Sequence, residues 1–291
     1  MRLEEFNALR HTIDTPMGPL GYAEAGTGAA ALFVHGVGTN AYLWSGVVDE
    51  LRGERRCIAV DLPAHGHSGA PTHDLSLGAI ADHVAAFCEA LDLPPVDLVA
   101  NDTGGAIAQI FAARHPERLH TFALTNCDTH DNVPPEVFAP TVELAKRGEL
   151  APTAGALLAD LDTARAAVFG TGFEDPMFLS TDVVRDFLEP LGGTPERALQ
   201  FERMIAKLEP SDLLAAEPAL ARLTVPTLVV WGTGDDFFDV KWAHWLRDTI
   251  PGVAEIVELD GAKLFFPLER PADLVPHLRR HWARAEARAA S

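Results

Sequence analysis

The stretch VANDTGG, residues 99–105, sets the terms on which the rest of the chain is read. The apolar run VDLVAN (96–101) stops at Asp102, and GAIAQIFAARHPERL (105–119) continues with apolar positions at helical spacing. Asp102 therefore stands where a strand passes into a helix, at the carboxyl end of the strand, where open parallel sheets gather their ligands. A strained bend of this kind needs small neighbours, and Ala100 and Gly104 supply them. The N–H of Thr103, at the helix start, points into the same space as the Asp102 carboxylate. An aspartate at a helix start also serves as an ordinary N-cap. The bend alone thus leaves two readings of Asp102.

Working outward, apolar runs bounded by turn residues recur at ALFVHG (31–36), RCIAVDLP (56–63), TFALTN (121–126), TLVVWG (227–232) and AEIVELD (254–260). Helical patterns alternate with them at 75–91, 105–119, 240–250 and 271–287. This alternation predicts an α/β fold with a mostly parallel, doubly wound sheet. The opening HTIDTPMGPLGYAEAG, with Gly and Pro between strand-like pieces, predicts a hairpin leading into the sheet. Between TFALTN and TLVVWG the alternation stops, and short helices separated by Pro and Gly take over. The expected division is a core of residues 1–128 and 215–291, with a helical lid over 129–214.

The chain has 291 residues, 47% of them hydrophobic and 22% charged, which suits a soluble α/β core with an inserted lobe. Its 42 Asp and Glu against 23 Lys and Arg give a net charge of −19, which repels phosphate backbones and anionic lipid. The expected partner is a small molecule rather than nucleic acid or membrane. MRLEEFNALR carries charge throughout and no apolar stretch of signal-peptide length, so the expected location is the cytoplasm. Three cysteines, Cys57, Cys88 and Cys127, lack CxxC spacing and read as buried thiols rather than a disulfide framework or metal site. GTGAA (26–30) precedes a strand instead of following one, so it reads as a turn, and no cofactor is expected.

With these pieces in place the chain resembles the α/β-hydrolase family, and within it the aspartate-nucleophile branch of haloalkane dehalogenases and epoxide hydrolases. The segments that carry the resemblance are VANDTGG, LFVHGVGTNAYLW (32–44) and DLPAHGHSGAP (61–71), the last similar to the family's Asp-x-x-Gly-x-Gly-x-Ser loop with Ala64 and His65 substituted. It implies that Asp102 is the nucleophile, and that the N–H groups of Thr103 and of Val37, after His35 and Gly36, form the oxyanion site. Asn40, on the same loop, is a further substrate-side candidate. His35 reads as a loop-fixing side chain, and Asp61 with His65 to Ser68 as shapers of a turn.

A carboxylate that displaces a leaving group forms an ester, which water must cleave with the help of a base, normally a histidine oriented by a second acid. The resemblance places that acid at Asp235 in WGTGDDFF (231–238), or at Asp128 just past the preceding strand. It places the histidine in DGAKLFFPLERP (260–271), at the position Leu264 occupies. No histidine lies between His244 and His277. The residues offered as a replacement base are His130, on the loop past the strand, His244, between Trp242 and Trp245, Lys263, beside the vacant position, and Asp102 itself acting as base rather than nucleophile. Leaving-group devices of the branch are also missing: Thr103 and Val37 stand where dehalogenases hold the halide, and the stretch 129–214 has no Tyr or Trp.

Phe237, Leu264 and Phe265 near the strand ends, with Phe138, Phe169, Phe173 and Phe178 of the lid, suit a small apolar substrate. Three functions follow. One is a hydrolase with an Asp nucleophile and a non-standard base. Another is a non-hydrolytic enzyme, carrying out elimination, isomerisation or cyclisation with Asp102 as acid or base. The third is a catalytically silent binding protein.

Overall fold

The computed structural model describes residues 1–289. Eight strands, β1 (Arg10–Ile13), β2 (Leu20–Ala25), β3 (Ala30–Val34), β4 (Arg56–Val60), β5 (Val96–Asp102), β6 (Leu119–Cys127), β7 (Thr227–Gly232) and β8 (Val253–Leu259), form one sheet in the order β1-β2-β4-β3-β5-β6-β7-β8. β1 and β2 form the antiparallel hairpin expected of the opening segment, and β3 to β8 are mutually parallel. Strands β3, β5 and β7 are buried along their whole length. Helices on both faces leave no solvated side, which is why these runs are uniformly apolar rather than alternating.

The helices, in chain order, are α1 (Leu3–Asn7), α2 (Ser45–Leu51), α3 (Leu77–Ala90), α4 (Thr103–Arg114), α5 (Ala139–Lys146), α6 (Leu150–Leu157), α7 (Leu161–Ala164), α8 (Thr181–Gly192), α9 (Pro195–Ile205), α10 (Ser211–Leu220), α11 (Lys241–Thr249), α12 (Phe266–Glu269) and α13 (Pro271–Ala289). Several of the longer ones start for a local reason. Ser76 accepts from Ala79 N–H ahead of α3, Ser180 accepts from Val183 N–H ahead of α8, and Thr194 accepts from Arg197 N–H ahead of α9.

Helices α5 to α10 fill the interval between β6 and β7, as the break in the strand pattern predicts. Residue 214 lies inside α10, which packs on α3 and α4 through the buried side of Leu213, Ala216 and Leu220. The inserted helices are tied to the sheet at several points. Asn40 donates to Asp186 of α8 at 2.8 Å and accepts from Arg10 at 3.2 Å, while Arg10 pairs with buried Asp61 at 2.6 Å. Arg197 of α9 donates to the carbonyls of Gly66 and Ser68 at 3.2 and 3.3 Å. Glu269 accepts from the N–H groups of Glu174 and Asp175, both at 2.9 Å.

The close fit of α4 on the sheet depends on Gly104. A Cβ there would lie 2.2 Å from the His35 carbonyl oxygen and 2.8 Å from that of Val34, both backbone, with no flexible atom to yield. Gly104→Ala is expected to lower the unfolding free energy by about 3 kcal/mol, the upper part of the usual range for overpacking. Denaturant unfolding of the variant beside the parent chain checks this.

Candidate active site

Asp102 adopts φ 57° and ψ −139° at the junction of β5 and α4, a conformation that side-chain-bearing residues hold only under strain. Its side chain makes no capping bond to α4, so the N-cap reading does not hold. The carboxylate lies instead against the loop after β3. A Cβ on Gly36 would sit 2.2 Å from Asp102 Oδ2, which makes the bare glycine backbone the floor beneath the acid. The N–H groups of Thr103 and Val37 face the carboxylate as donors. Asp102 is 8% exposed, so the group is enclosed.

Two further carboxylates complete a cluster. Cys127 is the sheet partner of Asp102, and Asp128, the next residue, is 1% exposed. The Thr103 hydroxyl donates to Asp128 Oδ2 at 2.8 Å, and Gln109 Nε2 donates to the Asp128 carbonyl at 2.8 Å. Asp235, partly buried in the loop after β7, accepts from Asn126 Nδ2 at 2.7 Å and from Phe237 N–H at 2.9 Å. The charges of Asp128 and Asp235 both bear on Asp102.

Burial without a cation raises proton affinity throughout this group. Burial first, and then the Asp128 charge, holds the Asp102 carboxyl well above the usual range, against the Thr103 and Val37 donors. Burial pushes Asp128 up to about 7 despite the Thr103 hydroxyl, and pushes Asp235 up to about 7 despite the Phe237 and Asn126 donors. Like charges this close leave at least one proton on the cluster near neutrality.

The candidates for the missing base have local partners. Nδ1 of His130 bonds Glu217 of α10, and its ring stacks on Trp245 of α11 at 5.0 Å. Lys263 Nζ pairs with Asp236 at 2.7 Å. His244 pairs with Glu258 at 3.4 Å. Asn40, expected on the substrate side, uses both ends of its amide, accepting from Tyr42 N–H at 2.8 Å as well as from Arg10, and donating to Asp186. Each of these four residues is thus engaged by an opposite charge or a backbone donor outside the carboxylate cluster.

Leu264 is buried and presents its carbonyl to Asn101 Nδ2 at 3.0 Å. Phe265 packs on Phe173 at 5.2 Å and donates its N–H to the Gly172 carbonyl, joining the core to the inserted segment. Phe237 serves the site through its N–H on Asp235. His35 fixes its loop as expected: its ring lies 2.7 Å from the Gly36 carbonyl and accepts from Leu62 N–H at 2.9 Å. Burial lowers His35 to about 4 and His65 to about 3, so both stay neutral. Asp61 accepts from the N–H groups of Ala41 and His67, both at 2.8 Å, and shapes its turn.

Three bracing residues escaped the sequence reading. Asn126 bonds both backbone groups of Gly232 and the Asp235 carboxylate. Asn101 joins Thr125 to Leu264, and Gln109 holds the Asp128 backbone. The only signal was an amide inside an otherwise apolar strand or helix. Among the described residues, no group of three His, Cys, Asp or Glu side chains is arranged to hold a metal ion, and no helix is long and apolar enough to cross a membrane. Two surface clefts of about 650 and 350 Å³ lie beside Tyr42, Ser180 and Val183, and Asp102 lines neither.

An eight-stranded, mostly parallel sheet with an acid on a strained strand-to-helix elbow, backbone N–H groups beside it and helices inserted after β6 defines an α/β hydrolase in architecture. The alpha/beta hydrolase fold profile matches residues 31–269, and the chain belongs to that family. A haloalkane dehalogenase of Agrobacterium fabrum is 37% identical over 131 residues, 43% of this chain and 43% of that enzyme. The chain thus matches less than half the length of this relative. A cis-3-alkyl-4-alkyloxetan-2-one decarboxylase of Shewanella oneidensis is 26% identical over 95% of this chain and 89% of its own. The crystal structure of a haloalkane dehalogenase from Agrobacterium tumefaciens C58 shares the fold, with a TM-score of 0.79 at 24% identity, covering 95% of this chain and 97% of that one.

The acid cluster has a signature in stability. Asp128 and Asp235 hold protons in the folded chain up to about pH 7 and in the unfolded chain only up to the ordinary value of 3.8. Between those limits the folded state binds more protons, so the contribution of each is full below 3.8 and lost as pH rises through about 7. Neutral His35 and His65 act oppositely in acid, so the difference between variant and parent isolates the carboxyl. Between about pH 5 and pH 8, Asp128→Asn is expected to lose roughly 1–2 kcal/mol less stability than the parent chain. Urea unfolding at the two pH values measures it.

Proposed function

We propose that this chain is a hydrolase in which Asp102 attacks an electrophilic carbon of a small, largely apolar substrate held beneath the helices inserted after β6. The carboxylate displaces a leaving group and becomes an ester. Water then cleaves the ester carbonyl, with the Thr103 and Val37 N–H groups stabilising the negative oxygen that develops there. Asp235 is the base for that water. A carboxylate with a proton affinity near neutrality removes a water proton far better than an ordinary one, and so does part of the work of the absent histidine. The observation that carries this reading is the Asp102 elbow itself: a strained residue that caps nothing, lies on bare glycine and faces two backbone donors. Similarity to haloalkane dehalogenase supports displacement at carbon as the chemistry.

A non-hydrolytic route is favoured by one specific observation, the retained proton of the Asp102 cluster with no imidazole to activate water. In that route the Asp102 ester is resolved by elimination, and the oxetan-2-one decarboxylase, alike over nearly the whole chain, supports it. Solvent oxygen separates the two. Under single turnover in H₂¹⁸O, hydrolysis is expected to leave label in the Asp102 peptide, read by mass spectrometry, and elimination is expected to leave none. Asp102→Asn is expected to lower turnover of any substrate at least about 10³-fold while the chain stays folded. Undiminished turnover by that variant removes Asp102 from both routes.

A further inference from the structure

The leaving group has its own requirement, and the structure meets it with Asp128 rather than with the donors a halide needs. Asp128 follows the residue paired with Asp102 in the sheet, and Thr103 links the two acids by its N–H to one and its hydroxyl to the other. Only one oxygen of Asp128 is engaged. Its Oδ2 accepts from Thr103, while Oδ1 is buried without a hydrogen-bond partner among the described residues. We propose that Asp128 is the proton donor to the leaving atom, and that the carbon attacked by Asp102 is therefore bonded to the oxygen of a strained ring rather than to a halogen. This rests on Asp102 being the nucleophile.

The proton economy of a close acid pair supports the assignment. One proton shared by two buried carboxyls leaves one acid and one carboxylate, and the reactive form is the one in which Asp128 carries the proton and Asp102 does not. A departing alkoxide needs that proton, whereas a departing halide needs none and is repelled by a second carboxylate. The step balances. An Asp102 oxygen bonds to the ring carbon, the C–O bond breaks toward oxygen, and the Asp128 proton moves to that oxygen, giving an ester of Asp102 with a free hydroxyl. Water attacks the ester carbonyl as Asp235 takes one of its protons, and that proton goes to the departing alkoxide. The Asp102 carboxylic acid so formed returns its remaining proton to Asp128, and one water has been consumed.

The other ionisable groups facing the pair are Asp235, across the strand ends, and Cys127, whose thiol burial holds well above its usual range and so keeps neutral. The thiol is no acid at neutral pH, and the Asp235 carboxylate has both oxygens engaged, by Asn126 and by the Phe237 N–H, whereas Asp128 keeps one oxygen free.

Styrene oxide and 2-phenylethyl bromide, which share a carbon frame, test the inference in single-turnover reactions with enzyme in excess. Loss of each probe and intact mass are followed from about pH 5 to pH 9. For the parent chain, loss of styrene oxide is expected to be bell-shaped in pH, because both acids are protonated at one end and neither at the other. Loss of the bromide is expected to be slower and to rise steadily with pH. Asp128→Asn is expected to slow the epoxide reaction by about 100-fold or more and to leave the bromide reaction within about threefold. An unchanged epoxide rate in Asp128→Asn, or a parent chain that consumes bromide faster than epoxide, overturns the role of Asp128 and leaves the nucleophile standing. Absence of any Asp102 adduct and of any probe loss removes the nucleophile and this inference with it. Circular dichroism checks the fold of the variant; should it not fold, the parent pH profiles decide, a monotonic epoxide profile counting against Asp128.

Discussion

At Asp102 the backbone leaves β5 in a left-handed conformation that costs about 1–3 kcal/mol for a residue bearing a side chain. The rest of the molecule over-determines that conformation. Gly104 allows α4 to come down on the His35 carbonyl, Gly36 clears the space the carboxylate occupies, and the sheet register pairs Asp102 with Cys127. With these contacts in place the acid has nowhere else to go. It is driven out of its ordinary helix-capping role and turned toward two backbone donors and two other acids. The arrangement of the active site follows from this packing constraint more than from any attraction between its polar groups, which in fact repel one another.

That repulsion persists because the surrounding amides hold the acids rather than neutralise them. Asn126, Thr103 and the Phe237 N–H each give a neutral donor to a carboxylate, which orients it and partly lowers its proton affinity without cancelling charge. Leu264 is buried and gives its carbonyl to Asn101. Burial therefore raises the proton affinity of all three carboxyls above that of an isolated aspartate.

Much of the architecture was legible in the sequence, because apolar runs of strand length alternating with helical periodicity are local signals. The elbow was legible too, since an acid at a strand end flanked by small residues is the local pattern a tight strand-to-helix bend demands. The bracing of the site was not. Asn126 meets Gly232 and Asp235 at separations of 106 and 109 residues, and Asn101 meets Leu264 at 163. An isolated amide carries no periodicity that announces such a partner. Topology alone brings His130 and Lys263 toward the site, and the structure gives them to Glu217 and Asp236, because the nearest opposite charge on a neighbouring element cannot be read along the chain.

The pins that fasten the inserted helices bear on how a molecule would arrive. Asp186 is bound through Asn40 and Arg10 to a fully buried aspartate, Arg197 grips two carbonyls of the Asp61 loop, and Glu269 holds the 174–175 turn. A wholesale hinge would have to break contacts on several sides at once, parting Asp186 from Arg10 and Glu174 from Arg270. At the aromatic seam where Phe265 meets Phe173 the Phe265 N–H also bonds the Gly172 carbonyl, and the Arg270–Glu174 ion pair lies one residue on. Phe265 and Phe173 belong to the same fastening: Gly172 lies against the Phe265 ring, and a side chain there would wedge the inserted segment off the core.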